Sequence, residues 1–198
     1  MAGRTRVIGL TGSIGMGKST AAAMLRRLHV PVFEADVFAH TLLEPGGAAV
    51  AAVTEAFPDA VENGTISRPA LARSVFGDEE ALARLEGILH PLVRAGEKYF
   101  IARQNLRRKR LAALEIPLLF ETGAEELCDA VVVLTAPHFV QEARVMSRPG
   151  MTKERLDAVR ARQMPEAEKC ARADYVIPTG LGLRRTFIGL KAVVRDLT

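Results

Sequence analysis

The sequence is poor in the residues that build metal centres and disulfide frameworks. Its two cysteines, Cys128 and Cys170, stand far apart, belong to no C-x-x-C pair and have no second Cys or His at ligand spacing, so reduced, buried thiols are expected. The four histidines, His29, His40, His90 and His138, form no ligand-spaced cluster either, which argues against a histidine-bound metal. No apolar run approaches the length of a membrane span, and Met1–Arg6 lead into the first expected strand without the apolar region of a secretory signal. The reading is a cytoplasmic protein with no membrane partner. No internal repeat and no long low-complexity tract is visible. An excess of one charge is also missing: 27 Lys plus Arg against 23 Asp plus Glu leave +4, in keeping with an anionic ligand but too little to argue for nucleic acid. The densest basic run, Arg107-Arg108-Lys109-Arg110, admits a nucleic-acid or membrane reading, and a solvated helix end is the simpler one.

What the sequence does have is one strong motif. Gly12-Ser13-Ile14-Gly15-Met16-Gly17-Lys18-Ser19, followed by Thr20, fits G-x-x-x-x-G-K-[ST] at every fixed position. A chain wraps a phosphate closely only where side chains are absent and backbone N–H groups turn inward, which Gly12, Gly15 and Gly17 permit. Lys18 can reach the β- and γ-phosphates, the Ser19 hydroxyl can ligate Mg²⁺, and the helix opening near Lys18 adds the positive end of its dipole. The context is right, because Arg6–Leu10 read as a short buried strand and Ser19–Leu28 are rich in helix formers. The alternative is a Gly-rich turn with no ligand.

Hydrophobic residues at 48% and charged residues at 25% are ordinary for a globular chain, and 198 residues suit one domain carrying an insertion or subdomain. A second short strand is expected over Val30–Asp36, then a helix to about Leu43. That strand–helix–strand alternation predicts an α/β fold with a mostly parallel sheet, whose ligands gather at the carboxyl ends of the strands. Residues 45–108 lose strand character and read as a helical insert: Ala48–Phe57, a helix opening at Pro69, Asp78–Leu89, and a long helix restarted at His90-Pro91. Strands resume at Leu111–Ile116 and Ala130–Thr135. Helices over Pro137–Met146 and about Thr152–Gln163 flank the break Arg148-Pro149-Gly150-Met151. Glu166–Ala173, a strand over Asp174–Ile177 and an amphipathic helix near Leu183–Leu197 complete the chain.

Three further residues or pairs bear on the chemistry. Asp36 ends the second strand, where a carboxylate can accept a proton from an attacking hydroxyl or help hold Mg²⁺; an N-cap role for the next helix is equally open and compatible. Arg144 and Arg148 are spaced i, i+4 on one expected helix face beside a Pro-Gly break, which suits a cationic lid over a transferring phosphoryl group; a solvated surface helix is the alternative. Glu115 interrupts an apolar strand and needs a partner, either Mg²⁺ through water or an N–H or Arg group. His40 lies four residues after Asp36, where it can approach a substrate or simply pack.

Taken together, Ile8-Gly9-Leu10-Thr11-Gly12 with the P-loop, Glu34-Ala35-Asp36 with Ala39-His40, Leu89-His90-Pro91-Leu92, Ile116-Pro117-Leu118-Leu119-Phe120-Glu121, Arg144 and Arg148 with Gln163, and Ala173-Asp174-Tyr175-Val176-Ile177 resemble the dephospho-coenzyme A kinase family over nearly the whole chain. The resemblance implies a P-loop kinase fold: a nucleotide-binding core over about 5–44 and 110–198, the 45–108 insert binding coenzyme A, and a lid over about 138–164. It implies transfer of the ATP γ-phosphate to the ribose 3′-hydroxyl of dephospho-coenzyme A, the last step of coenzyme A synthesis, by a monomer or weak oligomer. By matching position, Asp36 would take the hydroxyl proton, Lys18, Arg144 and Arg148 would serve phosphoryl transfer, and Gly12 to Thr20 would bind ATP. Thr11, Asp36, His40 and His90 would meet the acceptor, and Ser19, with Glu115 through water, would hold Mg²⁺. Departures from the usual pattern include Glu34 for Asp, Ser13 for Gly, Met16 for Ser, Glu115 for Asp, and no Asn in Pro178-Thr179-Gly180. The rival readings are a kinase of another small acceptor, such as a nucleoside monophosphate, and a nucleotide-dependent switch.

Overall fold

The computed structural model describes residues 4–198. The lead-in Met1–Gly3 lies outside them. In chain order the elements are β1 (Arg6–Thr11), α1 (Lys18–Arg27), β2 (Val32–Glu34), α2 (Ala35–Leu42), α3 (Val50–Ala56), β3 (Val61–Glu62), β4 (Thr65–Ile66), α4 (Arg68–Val75), α5 (Glu79–Leu106) and β5 (Leu111–Glu115). There follow β6 (Ala130–Thr135), α6 (His138–Met146), α7 (Lys153–Ala161), α8 (Glu166–Ala171), β7 (Tyr175–Pro178) and α9 (Leu183–Leu197). The chain divides into two compact units, one made of the residues up to Glu34 with Ile101–Thr198, the other of Ala35–Phe100.

The first unit is an α/β layer structure on a five-stranded sheet of order β2-β5-β1-β6-β7. Every neighbouring pair is parallel. Strands covered on both faces read as unbroken apolar runs, and all of β5 and everything in β1 after Arg6 is buried. β1 lies between β5 and β6, pairing Val7 with Ala112 on one side and Gly9 with Val131 on the other. One core joins Ile8 and Leu10 of β1, Ala21, Ala22, Met24 and Leu25 of α1, Val132 and Leu134 of β6, Ile177 of β7, and Leu190 and Val193 of α9. The amphipathic pattern of Leu183–Leu197 thus becomes a helix whose apolar stripe meets this core. Among the described residues no helix is long and apolar enough to cross a membrane.

The second unit has its own core of Leu42, Val53, Phe57, Leu71 and Leu85, with Phe38 and Val93 packed against it. It takes in α2, which the sequence reading assigned to the nucleotide-binding part, because Phe38 and Leu42 bury their side chains here. A Cβ at Gly96 would strike the Phe38 ring, so glycine allows α2 and α5 to approach closely. Helix starts are capped locally: the Ala70 N–H donates to Ser67 Oγ at 3.4 Å and the Ala81 N–H to Asp78 Oδ1 at 2.9 Å.

Two expectations for this region are corrected. The insert is not purely helical, since β3 and β4 form an antiparallel hairpin around Asn63 (φ 52°) and Gly64 (φ 74°). Two successive positive φ angles make the primed turn that Asn-Gly favours. Nor does His90-Pro91 restart a helix, because α5 runs unbroken through Pro91. The ring removes one hydrogen bond, to the Gly87 carbonyl, and both residues are exposed, so water can serve that carbonyl.

Candidate active site

The P-loop spans residues 12–17 between β1 and α1 at the carboxyl edge of the sheet. Gly12, Gly15 and Gly17 all have positive φ, at 150°, 79° and 85°. Space matters as much as angle at two of them. A Cβ on Gly12 would lie 2.6 Å from the Leu134 carbonyl oxygen, and one on Gly15 would lie 2.7 Å from Val145 Cγ2. Met16 is fully buried in the core, so its side chain anchors the loop from below. The Lys18 ammonium donates to the Gly12 carbonyl at 2.7 Å and to the Ser13 carbonyl at 3.3 Å, which folds it back over the loop. Ser19 and Thr20 are exposed in the first turn of α1. Thr11 is fully buried and its hydroxyl donates to the Pro117 carbonyl at 3.2 Å, so it ties β1 to the segment after β5.

The two arginines of the expected lid part company. Arg144, in α6, donates through Nη1 to the Gly15 carbonyl at 3.3 Å and to Thr179 Oγ1 at 3.0 Å, and through Nη2 to the Thr179 carbonyl at 2.9 Å. Arg148 is exposed and lies past the end of α6. The single helix face expected for the pair is therefore corrected. Pro149 disfavours a helical conformation at the residue before it, and α6 ends at Met146. Gly150 turns the chain with φ 72°, and Arg155 Nη1 donates to its carbonyl at 2.5 Å.

Glu115 is buried at the end of β5, in register with Leu10 and Glu34. Glu34 is ion-paired with Arg26. β2 is an edge strand three residues long, shorter than the Val30–Asp36 run. Asp36 therefore falls in the first turn of α2 instead of capping it, where a carboxylate suits the helix dipole.

Within the second unit, Asp36, His40 and Arg68 line a cavity of about 730 Å³ whose remaining wall is largely aliphatic, including Leu43, Leu71 and Leu89. Arg68 Nη2 lies 2.8 Å from His40 Nε2. A guanidinium only donates, so the imidazole accepts through Nε2 and carries its proton on Nδ1. His90 is exposed on α5 and is not among the lining residues.

A protein-family model described as Dephospho-CoA kinase matches residues 6–182, and so reaches from β1 to the loop before α9. The chain belongs to the dephospho-CoA kinase family. The curated Dephospho-CoA kinase of Paramagnetospirillum magneticum is 61% identical over 164 residues, covering 83% of this chain and 77% of the relative. That of Rhodospirillum rubrum is 54% identical over 190 residues, covering 94% and 89%. A crystal structure from Thermus thermophilus, at 39% identity, superposes with a TM-score of 0.85 over 99% of this chain and all of the other. The chain is thus an ATP-dependent kinase.

Thr179 and Arg68 were not singled out from the sequence. Thr179 stands where the family usually has Asn, a departure that marked the position without indicating its role. Its hydroxyl, 6% exposed, accepts from Arg144 and lies 3.0 Å from the Met16 carbonyl and 3.1 Å from that of Thr135. Arg68 carried a weaker signal: it follows a capping serine and precedes a proline, so it had to open a helix.

Proposed function

We propose that the dephospho-CoA kinase reaction is divided between the two units as follows. The P-loop binds ATP: backbone N–H groups of Gly15 to Ser19 and the start of α1 face the phosphates, and Lys18 exchanges its loop carbonyls for β- and γ-oxygens. The cavity in the second unit receives dephospho-CoA. Its aliphatic wall suits the apolar stretches of that acceptor, and Arg68 and His40 present donors to the polar ones. Asp36 orients the ribose 3′-hydroxyl and takes its proton as the oxygen attacks the γ-phosphorus and the bond to the ADP oxygen breaks.

Arg148 supplies the cationic stabilisation that a lid brings when it closes and excludes water. Arg144 braces the loop, because its guanidinium is already spent on Gly15 and Thr179. Mg²⁺, when bound, neutralises charge on the β- and γ-oxygens. The Ser19 hydroxyl and the Glu115 carboxylate, the latter through water, are the hard oxygen donors suited to hold it. A site of that kind takes most of its ligands from phosphates and water, so no dedicated cage of protein carboxylates is required.

The observation that carries this reading is the placement of Asp36. It brings a carboxylate to an otherwise aliphatic and cationic cavity, two residues beyond the strand that ends beside Glu115. The test is ADP release from Mg-ATP with and without dephospho-CoA, with mass spectrometry of the acceptor. One added phosphate and acceptor-dependent release are expected. Release indifferent to the acceptor would sink the reading.

A further inference from the structure

Ile14 is held from both sides by side chains far along the chain. Its N–H donates to Gln163 Oε1 at 3.0 Å, and its carbonyl accepts from Gln141 Nε2 at 2.8 Å. Neither amide is free to flip. A peptide N–H only donates and a peptide carbonyl only accepts, so Gln163 must turn its oxygen to the loop and Gln141 its nitrogen. The Gln141 oxygen then faces away, and Arg160 Nη2 of α7 donates to it at 2.8 Å. The circuit therefore joins α6, α7 and the residue after α7 to a single peptide of the P-loop.

The circuit also has a fixed footing. The Met164 N–H, next to Gln163, donates to Glu121 Oε1 at 2.7 Å, and the fully buried Lys169 ammonium lies 2.9 Å from the same oxygen. Gln141 is 5% exposed, so its two hydrogen bonds are made out of water, where leaving a partner unmet is costly.

We propose that Gln141 and Gln163 are positioning residues for nucleotide binding, which clasp the Ile14 peptide and hold the following glycine turns in their phosphate-accepting shape. A loop with glycines at 12, 15 and 17 has much conformational freedom to lose when a triphosphate binds. A clasp made beforehand removes that loss from the binding step. Neutral amides suit the task, because a carboxylate at either position would accept hydrogen bonds equally well but repel the phosphates. Both residues lie at the roots of the α6–α7 hairpin, so motion of that hairpin is confined to its tip, between about Met146 and Lys153, as long as the clasp is closed. The inference rests on the P-loop being the ATP site, not on the identity of the acceptor.

The test measures MgATP affinity by calorimetry and amide hydrogen exchange in the full chain. With Gln163→Leu, the dissociation constant for MgATP should rise about tenfold, the equivalent of one hydrogen bond. The Ile14 amide should lose protection while Val7–Leu10 keep theirs, and KM for dephospho-CoA should hold within about twofold. Gln141→Met should weaken MgATP binding likewise, and adding Gln163→Leu to it should cost less than the sum of the two, since both act on one peptide. Unchanged MgATP affinity in Gln163→Leu, or lost protection throughout β1, would overturn the clasp. Absence of acceptor phosphorylation by a wild-type chain that still binds MgATP would instead overturn the kinase reading and leave the clasp standing.

Discussion

Arg144 and Thr179 meet twice, Nη1 on the hydroxyl at 3.0 Å and Nη2 on the carbonyl at 2.9 Å. Through that pair the end of β7 reaches the P-loop, because Arg144 also donates to the Gly15 carbonyl and the Thr179 hydroxyl faces that of Met16. The arginine expected to touch phosphate from the lid is thereby a strut for the loop that holds phosphate. Thr179→Val keeps the shape and removes the hydroxyl. It should cost about 1–3 kcal/mol, as expected when a buried donor loses its partner. Urea unfolding gives the stability, and MgATP affinity should fall with it.

Asp36→Asn should leave MgATP affinity close to that of the parent while kcat falls by about a hundredfold or more, the scale of a general base. Rapid-quench measurement of the chemical step separates this from slow product release. Near-normal turnover in the variant would remove Asp36 from the base role.

Lys169→Met probes the footing of the clasp. Burial by itself would raise the Glu121 carboxyl pKa, but the Lys169 hydrogen bond and the Met164 N–H outweigh it and hold the group below its usual value. An acid whose folded pKa is depressed contributes stability that is present above its unfolded pKa and is lost as pH falls through the folded one. The variant removes that contribution and leaves a half-buried carboxylate unpaired, so stability near pH 7 should drop by about 3 kcal/mol. In acid, where Glu121 is protonated in both proteins, the gap should close. Urea midpoints at about pH 7 and about pH 4 check the sign, and a gap that widens in acid would refute it.

The parts of the molecule that were legible in the sequence are those whose requirements are local. The P-loop glycines declare positive φ, the apolar runs of β5 and β6 declare strands buried on both faces, and the spacing over Leu183–Leu197 declares a helix with one apolar stripe. The β3–β4 hairpin was legible too, through Asn63-Gly64, but its strands of two residues each carry almost no hydrophobic pattern. Pro91 misled because its rule concerns a hydrogen bond that an exposed helix face can leave to water. Thr179, Arg68 and the Gln141 and Gln163 amides are another matter. Each acts through a partner brought up by the fold, and nothing in a threonine, an arginine or a glutamine beside its sequence neighbours announces that partner.

The place of β1 in the sheet bears on how the chain comes off the ribosome. Arg6–Thr11 is the first strand made, yet its neighbours begin at Leu111 and Ala130, and its companion β2 pairs only with β5. The strand that carries the nucleotide site must therefore wait, apolar and unpaired, while all of Ala35–Phe100 is synthesised and free to collapse on its own core. Pairings so distant in sequence are slow to close. The nascent chain thus spends its most aggregation-prone interval between the appearance of Thr11 and that of Leu111, when holding β1 apart from other chains matters more than any contact in the finished protein.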